Sequence, residues 1–199
     1  MTGTARCEAM SIKKSVPGHA VWADIAVGLL AGWVATQVTN LAQRPLRRAT
    51  PEHIDRHEEK VRPGASSSLV AARKLAEILD VAPSQERDAR WGKAIHLAVG
   101  MGWGPVYGLL RRYGGLRPVG AALASGSAMS LILDEALVPA LGLSAPCHHY
   151  PTFTRVRGFI AHLVYGAAVA MAAEGLGRAL GRPPGSPARS RPADQGPGR

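Results

Sequence analysis

The sequence predicts an all-α fold: a four-span transmembrane helical bundle built from two repeated helical hairpins, with an extramembrane helical linker. Three observations predict it. Four windows, at about residues 22–42, 94–111, 118–141 and 158–178, are nearly free of charge, and a helix needs ~17–25 such residues to cross ~30 Å of hydrocarbon. Two of them open on one signature, Gly92-x-x-x-His96-Leu97-x-x-Gly100 and Gly158-x-x-x-His162-Leu163-x-x-Gly166, 66 positions apart, which reads as an internal repeat. Small residues recur at four-residue spacing, Gly28 with Gly32, Gly100 with Gly104 and Gly108, and Gly126 with Ser130. Such ladders let helices approach closely in lipid, where no hydrophobic effect drives their association.

Composition alone fits a soluble domain equally well, with 46% hydrophobic residues and a mean hydropathy of zero. Polar material at 42–93 and after 181 lowers that mean. The glycine content of the apolar windows favours lipid over a soluble Ala-rich bundle, because Gly is a poor helix former in water and frequent in membrane helices. The net charge of +10 is scattered over tails and loops without an aromatic-interleaved patch, which argues against nucleic acid and suits anionic head groups. The bilayer is therefore the expected partner, with a homo-oligomer or a second membrane protein left open. Cys7 and Cys147 have no paired spacing, so no disulfide framework is indicated.

Along the chain, residues 1–18 are expected to be disordered, as is the Pro/Gly/Ser/Arg-rich segment 182–199. Lys13 and Lys14 precede the first apolar run as in a signal peptide, but Asp24 interrupts it and no small-x-small site follows, so it reads as an uncleaved span. Thr50-Pro51 caps a short charged helix over EHIDRHEEK, which Pro63-Gly64 ends. Ser66 caps a second linker helix whose Leu69, Ala72, Leu75, Ala76 and Leu79 share one face, for packing on the bundle or lying on the membrane. Ser84 starts a helix that runs through Trp91 into span two, where Pro105 is expected to kink it. Arg111 and Arg112 end that span, Tyr113-Gly114-Gly115 turn the chain, Pro118 opens span three, and Pro146 to Pro151 separate spans three and four.

The repeat extends to the other two spans when Pro45 is laid over Pro139, an offset of 94 that matches Gly32 with Gly126, Thr36 with Ser130 and Asn40 with Asp134. Two hairpins of equal topology imply a pseudo-two-fold axis along the membrane normal. Lys and Arg number 11 on the side of the termini and 13 opposite, so charge does not decide the orientation.

Counting residues from the span ends places Asn40, His96, Asp134 and His162 at one depth, with Glu135 adjacent and Thr36 and Ser130 one turn deeper. A carboxylate in hydrocarbon is costly unless paired, so Asp134 is expected to meet one or both histidines. Three readings stay open. The layer is interhelical hydrogen-bond glue that specifies packing, a proton-responsive or permeation site, or, with less support, a haem or metal site through the two histidines. His53 and His57 fall on a charged, solvated helix without the HExxH order, and Cys147-His148-His149 reads as a head-group-level loop. No dedicated cofactor or metal motif is recognised. No nucleophile elbow or phosphate-cradling loop occurs, so no enzymatic activity is expected.

Gly92-x-x-x-His96-Leu97, Asp134-Glu135-x-x-x-Pro139-x-Leu141-Gly142-Leu143, Tyr150-Pro151 and Arg157-Gly158-x-x-x-His162-Leu163-x-Tyr165-Gly166 together resemble the YagU-like bacterial inner-membrane proteins, a domain of unknown function. The similarity covers about residues 24–180. It implies a multi-pass protein of the bacterial cytoplasmic membrane with cytoplasmic termini, and supplies no substrate or catalytic residue.

Overall fold

A computed structural model describes residues 18–61, 66–182 and 184. Nearly all of both expected tails, with Cys7, and the expected Pro63-Gly64 helix end lie outside these residues. Every regular element among the described residues is helical: α1 (Gly18–Arg48), α2 (Glu52–Val61), α3 (Ser67–Ile78), α4 (Gln85–Arg112), α5 (Pro118–Met129), a π-helical segment (Ser130–Leu137), α6 (Val138–Ala140), a 3-10 turn (Cys147–His149) and α7 (Thr152–Ala179). Two of the expected caps form, the Ser66 hydroxyl accepting from Leu69 N–H and that of Ser84 from Arg87 N–H, whereas the Thr50 hydroxyl donates back to Leu46 O at 3.1 Å instead of capping α2. Pro118 occupies the first turn of α5, and Gly115 supplies the positive φ (60°) that the preceding turn requires.

Three helices are long and apolar enough to span a membrane: Val21–Arg48, Pro118–Ala140 and Thr152–Ala179, with mean hydropathies of 1.4, 1.4 and 1.5. α4, expected as a span over 94–111, has the length at 28 residues but is not among them. Its glycines, His96, Trp103, Pro105 and Tyr107 dilute the apolar character. The tertiary structure supplies a reason: α4 contacts α1, α3, α5 and α7, so much of its surface meets protein.

Large apolar side chains are displayed outward, as Trp22 (71% exposed), Leu30, Trp33, Val119, Leu123, Ile132 and Met171 are, while Ala31, Ala35, Ala121, Ser125 and Val169 fill the interior. Small residues inside and large ones outside is the distribution that lipid solvation favours. α1 lies along α4 and α7, and α5 lies along α7.

The glycine ladders sit where backbones meet. A Cβ on Gly32 would approach Gly100 O to 2.7 Å, one on Gly28 would approach Pro105 Cα to 2.5 Å, and one on Gly126 would approach His162 O to 2.5 Å. Gly104 and Gly166 face the carbonyls of Gly28 and Ala122, Gly100 faces the Thr36 side chain, and Gly108 faces Asp24 more loosely at 3.6 Å.

Two details differ from expectation. On α3, Ala72 and Ala76 are buried, whereas Leu75 and Leu79 are 40% and 55% exposed. The helix packs through its small face because Gly92 admits its backbone, the Leu69 Cα lying 3.2 Å from where a Gly92 Cβ would stand. The third apolar helix is not a uniform α-helix either. Val138 N–H bonds to Leu133 O, five residues back, and Pro139, lacking an N–H, cannot continue the ordinary ladder.

Candidate functional site: a cavity in one half of the bundle

A cavity of about 730 Å³ occupies the half of the bundle nearest the linker helices. Its lining extends from Thr36 to Arg47 on α1, from Gly100 back to Ala89 on α4, and from Tyr165 back to Thr154 on α7. Each stretch covers eleven residue steps, or roughly 16 Å at the α-helical rise of ~1.5 Å. That is about half of a ~30 Å hydrocarbon layer. The period of the helix explains the α1 wall, since Thr36, Asn40, Gln43 and Arg47 recur at four-, three- and four-residue steps and share one face.

All five candidate residues, Asn40, His96, Asp134, Glu135 and His162, line this cavity. They form pairs rather than a single ring. His96 Nε2 lies 3.2 Å from Asn40 Oδ1, and as that oxygen only accepts, Nε2 carries the proton in this contact. His162 Nδ1 lies 3.3 Å from Asp134 Oδ2 and 2.9 Å from Gly158 O. Both partners accept, so Nδ1 donates.

Asp134 thus meets one histidine, and Glu135 reaches the Arg155 guanidinium at 3.1 Å instead of joining the layer. The wide turn of the π segment carries both carboxylates toward α7. The Asp134 side chain is 48% exposed and forms part of the cavity wall. Below the pairs the floor is made by Ser130, by Thr36, whose hydroxyl donates to Gly32 O at 2.8 Å, and by Tyr165, whose hydroxyl donates to Gly100 O at 2.5 Å.

The metal reading needs three ligands around one point. Among the described residues no group of three His, Cys, Asp or Glu side chains is so arranged, and Asp134 with both histidines is not such a set. Cys147 lines the cavity, while the rings of His148 and His149 pack on each other with centroids 4.3 Å apart. The solvated histidine pair is exposed, and His57 Nε2 stands 3.4 Å from His149 O.

Three polar nodes escaped the sequence reading. Asp24 pairs with Arg112 at 2.6 Å, the two side chains being 8% and 10% exposed. Glu174 accepts from Tyr107 at 2.9 Å and from Arg111 at 3.0 Å, closing the bundle at the end remote from the cavity. On the linker side Glu58 is clamped by Arg157 at 2.8 Å and by the Thr154 hydroxyl, and Arg157 also donates to Thr50 Oγ1 at 2.7 Å. Asp24 and Glu174 were visible in the sequence as isolated charges near span ends, and Glu58 as one of several acids on the linker helix. Their partners were not, since 63 to 99 residues separate them.

Compared with protein-family models, curated proteins and solved structures, the chain matches none.

Proposed function

We propose that this chain is a four-span membrane protein whose cavity is a proton-responsive permeation site, the Asp134–His162 and Asn40–His96 pairs being its titratable and hydrogen-bonding parts. The observation that carries the reading is the half-exposed Asp134 carboxylate on the wall of a 730 Å³ cavity. Interhelical glue in hydrocarbon is expected to be enclosed and satisfied. A carboxylate beside an imidazole in a space roomy enough for water is instead arranged to exchange protons. On this reading α4 is the fourth span. The chain comprises two repeated hairpins, a proposal supported by the matched positions of the two pairs and of the Gly32–Gly100 and Gly126–Gly166 contacts.

The resemblance to YagU-like proteins supports placing it in the bacterial cytoplasmic membrane with cytoplasmic termini. The cavity mouth then faces the periplasm, since α1 ends and α7 begins at the linker side. Movement across the bilayer requires the packed remote half, around Tyr107, Ser125 and Val169, to open.

One observation favours the structural alternative, in which the layer only specifies packing. His162 Nδ1 is closer to the carbonyl of its own helix than to Asp134. Replacing His96 and His162 together with Gln separates the two readings, because Gln keeps neutral hydrogen bonding and loses titration. pH-dependent ion flux into proteoliposomes is expected to disappear while the fold persists. Flux equal to that of the unaltered protein would sink the permeation reading.

A further inference from the structure

The charges lining the cavity do not balance. Arg47, Lys93, Arg155 and Arg157 stand against Asp134 and Glu135. Arg155 is engaged by Glu135 and Arg157 by Glu58, and Asp134 has His162. Arg47 and Lys93 have no hydrogen bond or ion pair among the described residues. Both stand above the His/Asn level: Lys93 is three residues before His96 on α4, and Arg47 is seven after Asn40 on α1, or about 10 Å nearer the mouth. The α1 wall between them and the floor contains no acid. Thr39, nine-tenths buried on that wall, has a hydroxyl without a hydrogen-bond partner. A buried hydroxyl left so is costly, and a ligand or water in the cavity would relieve it. The lining below the cations also includes Val99, Leu133 and Val138, so the space is amphipathic.

We infer that the mouth of the cavity binds an oxyanion of the phosphate class between Arg47 and Lys93. This deepens the permeation reading and rests on it only for the role of the bound group. Two sources present that chemistry at this depth, the phosphodiester of an anionic phospholipid and free phosphate. Lys and Arg recognise either through charge-assisted hydrogen bonds. A lipid would place its acyl chain along the apolar lining, whereas a free anion would occupy the mouth alone.

The test uses the full chain in detergent. Native mass spectrometry reads retention of phosphatidylglycerol against phosphatidylcholine, and calorimetry reads binding of inorganic phosphate. At least one of the two anions is expected to bind, with an affinity falling about tenfold or more in the Arg47→Gln/Lys93→Gln variant, as loss of charged hydrogen bonds implies. The Arg47→Lys/Lys93→Arg variant is expected to retain most binding, which separates charge from misfolding. Phosphatidylglycerol that excess phosphate cannot displace identifies the lipid as source, and binding of phosphate alone identifies the free anion. The inference is overturned if neither anion binds, or if binding is the same in the Gln variant. The two proposals fail separately. His96→Gln/His162→Gln leaves both cations in place, so anion binding without flux in the unaltered protein sinks only permeation, and flux without anion binding sinks only this site.

Discussion

The same substitution, Gly to Ala, is expected to act with opposite sign at two positions two residues apart on α4. At Gly102 an added Cβ has nothing within 4 Å, so the methyl only removes backbone freedom from the unfolded chain. The gain is ~1 kcal/mol, the helix-propensity difference between the two residues. At Gly104 the propensity gain is the same, but the methyl overlaps the Gly28 carbonyl and stands 2.9 Å from Gly32 Cα. Both obstacles are backbone, so relief requires α1 and α4 to separate. Overpacking of this kind costs ~1–3 kcal/mol. Taking the upper part of that range, Gly104→Ala is destabilised by about 2 kcal/mol net, and the two variants differ by about 3 kcal/mol. Thermal or SDS unfolding followed by circular dichroism, in one detergent, reads both. Shifts of the same sign, or a neutral Gly104→Ala, would refute close backbone packing of α1 on α4.

Arg112→Leu strands Asp24 in a site where its side chain is 8% exposed, and the loss is expected at about 3–5 kcal/mol. Adding Asp24→Leu is expected to recover most of it, which a double-mutant cycle on unfolding free energy measures. Pro139→Ala restores the missing backbone donor, so amide exchange over 134–140 is expected to slow as the π segment converts toward an α-helix. A structure of that variant is expected to lack the Glu135–Arg155 pair. Tyr165→Phe removes the hydrogen bond to Gly100 O at about 1 kcal/mol. It is expected to lower the unfolding midpoint modestly without altering the Asn40–His96 contact, as judged by histidine NMR shifts.

Helix positions and caps were legible because they are local. Ser66, Ser84 and Pro118 act within one turn of themselves, and three of the four low-charge windows fall on helices long and apolar enough for a bilayer. That Asn40, His96, Asp134 and His162 border one space was legible too, since helical rise converts residue counts into distance. Which of them touch was not. The pairing of Asp134 with His162 alone, and the turn of Glu135 toward Arg155, follow from the π segment, whose register shift has no signature beyond Pro139. The same limit applies to Asp24 with Arg112, Glu174 with Tyr107 and Glu58 with Arg157. Each was visible as a charge, and its partner depended on which helices became neighbours.

The sequence by itself determined an all-helical chain with apolar segments long enough for a bilayer, because solvation and hydrogen bonding within a helix act along the chain. Only the tertiary structure decided that the polar residues border a cavity rather than a sealed contact. A cavity exists where four helices fail to touch. That depends on the backbone approaches set by Gly32, Gly100, Gly126 and Gly166 on one side of it and on the linker helix lodged at Gly92 on the other.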